Sequence, residues 1–174
     1  ADASIDDGSC EYTITQEFNL AGYTFNSFSL NVSPVNDLNI GSLLNDLDLL
    51  LVANDNAEYF VPEYNVNQIG DLNNNDGYKV FLNGGGSQSF SVVGTPVELS
   101  ESIISINPYM FNLMPFLPQD CMATSDVFSG YEDDILIVKN DASEYYVPAF
   151  NVETLTEMCP GEAYSIFLSG SESI

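Results

Sequence analysis

Asp48-Leu-Leu-Leu-Val-Ala-Asn-Asp-Asn-Ala-Glu-Tyr-Phe-Val-Pro62 returns 86 residues later as Asp134-Ile-Leu-Ile-Val-Lys-Asn-Asp-Ala-Ser-Glu-Tyr-Tyr-Val-Pro148. The match runs without a gap from Asp48–Gly84 to Asp134–Gly170, with 15 of 37 positions identical. Each copy holds a short apolar run, an Asx-rich turn and an aromatic strand, which together read as a hairpin. Pro62 and Pro148 close the returning strand, because proline has no N–H to give to a ladder. A repeat of this length is one supersecondary unit copied within a chain, and it favours a scaffold or binding module over a single catalytic pocket.

Outward from the hairpins, Gly77–Leu82 and Tyr164–Leu168 alternate in strand fashion and close each unit. Upstream, Glu17–Leu20 and Tyr23–Val32 read as strands broken at Gly22. Val35, Leu38, Leu43, Leu44 and Leu47 recur at near-helical spacing, which predicts a short amphipathic helix capped by Asn36 or Asp37. Ile69–Leu72 reads as a single turn, and Ser89–Val93 as a strand after the Gly84–Gly86 turn. In the second copy, Pro96–Leu99 is matched to Glu17–Leu20 and Ile103–Asn107 to Ser27–Asn31, with an irregular Pro108–Gly130 segment in place of the helix. The expectation is a mainly β protein of two tandem sandwich-like repeats, each with a short helix. Residues 1–12 form an acidic linker, 13–95 the first unit and 96–174 the second. The first unit continues into Ser89–Val93, and nothing in the second answers to that strand. Either the chain is a piece of a longer polypeptide, or it receives a strand from elsewhere.

The 174 residues include 26 acidic side chains, two lysines (Lys79 and Lys139) and no arginine or histidine, for a net charge of −24. Binding to a phosphate backbone needs clustered cations, so nucleic acid is not an expected partner, nor is an anionic membrane. No apolar run reaches the ~18 residues of a bilayer span. Without histidine or arginine there is no Ser-His-Asp or Cys-His system, no histidine zinc site and no guanidinium clamp. With 26 acids some carboxylate pairs are inevitable, so such a pair is no signal. No enzymatic activity is expected. The acidity suits high salt, a calcium-rich medium or a surface that resists self-association.

Of three cysteines, Cys121 and Cys159 are the candidate disulfide, with Cys10 left over or paired with a partner outside the chain; three buried thiols are the other reading. Asp2, Asp6 and Asp7, followed by Gly8, resemble a calcium loop, against the simpler reading of a solvated linker. Asp55 and Asp141 at the hairpin tips are further candidate calcium ligands. Asx residues in such turns also serve the backbone directly. Tyr59, Tyr64, Tyr145 and Phe150 recur around the two prolines and are candidate aromatics for sugar stacking or a protein interface. Asn31-Val-Ser33 is a formal glycosylation sequon, followed by Pro34.

Gly22-Tyr23, Asn26-Ser-Phe-Ser-Leu30, Ile137-Val-Lys-Asn140, Tyr146-Val-Pro148, Ile69-Gly-Asp-Leu72 and Gly77-Tyr-Lys-Val80 resemble a repeat of secreted marine-bacterial proteins and marine-phage structural proteins. Ala1-Asp-Ala-Ser-Ile-Asp-Asp-Gly-Ser-Cys-Glu-Tyr12 is similar to a linker found between domains of such proteins. The resemblance implies an exterior, non-enzymatic module at the cell surface, in the extracellular space or on a virion. It would act as a fibre, decoration or adhesion domain among other protein subunits or neighbouring domains. A carbohydrate-binding module that takes glycans, and a subunit of a surface filament completed by a donated strand, are the alternatives.

Overall fold

The computed structural model describes residues 12–35 and 38–170, and the chain is mainly β. In the first unit β1 (Ile14–Ala21), β2 (Phe25–Ser29) and β3 (Val32–Pro34) precede a single helical turn, α1 (Ile40–Leu43). β4 (Leu49–Ala53), β5 (Tyr59–Val61), β6 (Val66–Asn67), β7 (Gly77–Leu82) and β8 (Ser87–Pro96) follow. They form two antiparallel sheets, a five-stranded one ordered β2-β7-β4-β5-β6 and a three-stranded one ordered β1-β8-β3.

Period-two patterning decides which faces meet. In β7, Tyr78, Val80 and Leu82 point inward and are fully buried, while Lys79 and Phe81 stay half-exposed. In β1, Gln16, Phe18 and Leu20 point inward between exposed neighbours. The two inner faces share one core, in which Phe18 stacks on Phe90 at 4.4 Å and Phe28 meets both. This is a small sandwich.

The second unit repeats the five-stranded sheet with β9 (Phe111–Pro115), β11 (Ile135–Lys139), β12 (Tyr145–Val147), β13 (Val152–Glu153) and β15 (Ala163–Leu168). Its order is β13-β12-β11-β15-β9. The register is conserved in detail. Phe25 pairs with Phe81 as Phe111 pairs with Phe167, and both units slip register after the first residue of the hairpin strand, at Leu49/Leu51 and Ile135/Ile137. Asn65 and Asn151 both close a 3-10 turn in the left-handed region, where asparagine is tolerated far better than bulky residues. The second unit also has a two-stranded ribbon of β10 (Met122–Ala123) and β14 (Glu157–Met158) beside the helical turn α2 (Thr124–Val127), where the first unit has the Asn39–Asp71 bridge beside α1; among the described residues it has no three-stranded sheet.

Two expectations are corrected. The helix does not run from Val35 to Leu47; it is one turn, capped by Asn39, whose side chain accepts from the Gly41 N–H at 3.0 Å. Asn36 and Asp37 lie outside the described residues. The counterpart of β2 is not Ile103–Asn107 but β9, inside the segment read as irregular. The same 86-residue offset therefore extends back to a Tyr-x-Phe-Asn motif, Tyr23–Asn26 and Tyr109–Asn112. Its asparagine holds a tight turn in which the tyrosine has positive φ. Asn26 accepts from the Ala21 N–H at 2.7 Å and donates to Ala21 O; Asn112 does the same with Asn107 at 2.8 Å.

Candidate functional site

The hairpin tips that read as turns or calcium ligands are where the two units join. Asn54 accepts from the Glu58 N–H and donates to the Glu58 carboxylate at 2.7 Å; Asn140 does the same with Glu144 at 2.6 Å. These local bonds fix each turn and thrust the next residue outward. Asp141 accepts from the Ser27 N–H and, at 3.0 Å, from its hydroxyl. Asp55 accepts from the Leu113 N–H. Ser27 and Leu113 are counterparts, as are Asp55 and Asp141, so the joint is isologous within one chain.

Small residues let the strands approach. A Cβ on Gly77 would lie 2.5 Å from the Leu113 carbonyl oxygen and 3.0 Å from the Cβ of Ala163, the counterpart of Gly77. The Ser29 hydroxyl, fully buried, donates to Glu162 O at 2.6 Å and accepts from the Phe116 N–H at 3.1 Å. Gln16 donates to Ser29 O and accepts from the Asn31 N–H, Asn31 donates to Pro118 O, and Gln119 donates to Asn31 O at 2.7 Å. Asn31 is 2% exposed, so the sequon nitrogen is inside this seam.

Burial raises the Asp55 carboxyl above its usual 3.8; the Leu113 N–H opposes this, Asp76 adds to it and Lys79 opposes it. The residue as a whole stays exposed, but its carboxylate is lodged against the second unit, and that end sets the sign. Between 3.8 and the raised value, the folded chain holds a proton the unfolded chain has lost. This contribution to stability is full below 3.8 and is lost as pH rises through the window. Asp55→Asn keeps an acceptor for Leu113 without the charge. In urea titrations it should be more stable than the parent at pH 7 and equal to it near pH 3. Asp55→Ala leaves the Leu113 N–H unpaired and should cost about 1–3 kcal/mol.

Two cavities flank the joint at related positions. One of about 300 Å³ is lined by Glu17, Asn26, Asp141 and Glu162, and the other, of about 70 Å³, by Asp55, Asp76, Asn112 and Met114. Both are rich in oxygen acceptors. Among the described residues no group of three or more His, Cys, Asp or Glu side chains is arranged to hold a metal ion. Asp2, Asp6, Asp7 and Cys10 lie outside the described residues.

Tyr59 and Tyr64 sit on the first unit and Tyr145 and Phe150 at the same places on the second; all four are exposed, Tyr64 and Phe150 most of all at 72% and 78%. The joint does not draw on them. Cys121 and Cys159 form a disulfide with a Cα–Cα distance of 4.1 Å, beside the β10–β14 ribbon. Two buried tyrosines that the sequence reading passed over are structural. Tyr78 and Tyr164 accept from the backbone N–H of Asn73 and Cys159 at 2.9 and 2.8 Å, and burial raises both hydroxyls well above the usual range. Their shared position in the repeat was the available signal.

The second unit carries one more opening, an apolar groove of about 320 Å³ lined by Ile104, Met114, Phe116, Leu117, Val127 and Phe128 among others. No family model matches the chain, and no curated protein or solved structure matches it.

Proposed function

We propose that this chain is a non-enzymatic structural module of an exterior assembly, at a cell surface, in the extracellular space or on a virion, where it acts as a fibre, decoration or adhesion domain. The observation that carries the reading is the joint. Loops at the tips of a β scaffold are where binding and catalytic residues usually gather. Here both hairpin tips are spent on fastening one unit to the other. The Cys121–Cys159 disulfide supports an oxidising setting, and the −24 charge supports a surface that stays dispersed in salt. The partners are neighbouring protein subunits or domains, with calcium as a candidate bridging ion for the acidic surface.

A second reading, a filament subunit completed by a donated strand, is favoured by the open groove of the second unit. Light scattering in calcium and then in EDTA separates the two. A single species of 19.0 kDa in both media is expected of the module. Polymers that dissolve in EDTA would overturn it in favour of self-assembly.

A further inference from the structure

β2 and β9 are the outer strands of their five-stranded sheets, and each is capped by the other unit. An outer strand turns alternate N–H and C=O groups away from its sheet, where they need a partner. The Ser27 and Leu113 N–H groups point outward in this way and are taken by Asp141 and Asp55. The Ser29 N–H donates to Gly161 O at 3.1 Å, and the Phe116 N–H donates to the Ser29 hydroxyl at 3.1 Å. The interiors, by contrast, are built separately, from residues 14–92 in the first unit and 104–168 in the second. Each half therefore presents an edge for which the opposite half carries the complement.

We infer that the joint is exchangeable: a second copy of the chain supplies the matching half, its second unit closing on the first unit of its neighbour. Each of these contacts runs from one unit to the other, and residues 97–103, which connect the units, supply none of them. The occupant is selected by fit. Gly77 leaves room for the Leu113 carbonyl oxygen and for Ala163, and the two aspartates reach N–H groups at matching places. A second copy is the partner that presents all of these together. Exchange leaves the closed monomer as the dilute state and gives dimers where copies are crowded. It stands on the joint alone and does not depend on the exterior-module reading.

Two variants of the full chain block the joint from opposite sides. Gly77→Val drives a side chain into the Leu113 carbonyl oxygen, and Ala163→Val thickens the same spot from the second unit. Valine suits a strand, so both variants should keep slow amide exchange at the buried Val80 and Ile166. Alone, each should be a 19.0 kDa monomer whose Ser27 and Leu113 amides exchange at least about tenfold faster than in the parent. Mixed at about a millimolar each, in salt that screens the −24 of every copy, they should pair into dimers of twice that mass. The dimer has a signature, because the first unit of the Ala163→Val chain and the second unit of the Gly77→Val chain are both native. Protection should return at Ser27 of the former and Leu113 of the latter, and not at Leu113 of the former or Ser27 of the latter. Monomers throughout, or a dimer without this pattern, overturn the inference and leave the structural module standing. If either variant fails to fold, the parent unfolded in urea and refolded at about millimolar and about micromolar concentration decides. A dimer from the concentrated sample alone supports exchange, and monomers from both overturn it. Parent polymers that dissolve in EDTA overturn the module reading instead, and the variant pair still decides exchange.

Discussion

Phe28→Ala should remove about 3–5 kcal/mol of stability, the upper range for truncating a buried aromatic. Phe28 is 1% exposed and belongs to the face of β2 that meets the second layer. Its ring lies edge-on to Phe18 and Phe90, each at 5.4 Å, and stacks on Tyr78 at 5.3 Å. Removing it empties a space walled by both sheets of the sandwich, which cannot close without shifting the β1–β8 pair. Its backbone also bridges to Glu162 of the second unit, next to the buried Ser29, so the core and the joint meet at this residue. Its counterpart Met114 borders the open groove, where water and loose neighbours can fill a void. Met114→Ala should therefore cost at least about 1 kcal/mol less than Phe28→Ala. Urea titration checks both, through a lower midpoint at unchanged slope; equal costs would show that the two units are closed alike.

Replacing Cys121 and Cys159 together by serine should lower stability by about 2–5 kcal/mol. The bond joins residues 38 apart, so it restricts a substantial loop in the unfolded chain. The effect should concentrate in the second unit. The first unit contains no cysteine between residues 13 and 95, and there a three-stranded sheet covers the core. The second unit has no such sheet among the described residues, and the disulfide ties the end of its β10–β14 ribbon. A thermal scan should show the melting temperature lowered by about 10 °C, with the parent in a reducing agent behaving alike. An unchanged melting temperature under reduction would mean the bond is not a support.

The hairpins and closing strands were legible because a period of two between turn residues is a local property, and the copy 86 residues away supplied an independent reading. Ile103–Ile106 shows where local reading stops. Its isoleucines have strand composition, but a strand exists only where another pairs with it, and among the described residues none does. Phe111–Pro115 became a strand despite its proline because β15 pairs with it and it lies at the sheet edge, where proline is tolerated. The leucines from Leu38 to Leu47 kept a helical rhythm, but the chain turns after Leu43 to bring Leu44 and Leu49 into the core. The joint was illegible for a different reason. Asp55 and Asp141 were visible, but each takes a backbone N–H, which every residue but proline carries. The Cys121–Cys159 pairing was readable, because only three cysteines were present.

The reciprocal joint has the symmetry of two identical subunits, yet it is made within one polypeptide. Tethering turns an encounter between molecules into one between ends of the same chain, at an effective concentration on the order of millimolar for a short linker. Residues 97–103 are that tether, between the end of β8 and the isoleucines that pack on the second unit's core. A joint of a few polar contacts and small side chains is then sufficient at any dilution. Covalent linkage also frees each half from having to fit both roles. Ser29 gives its hydroxyl to the other half while its counterpart Pro115 has none to give, a divergence that two copies of a single sequence could not have accumulated.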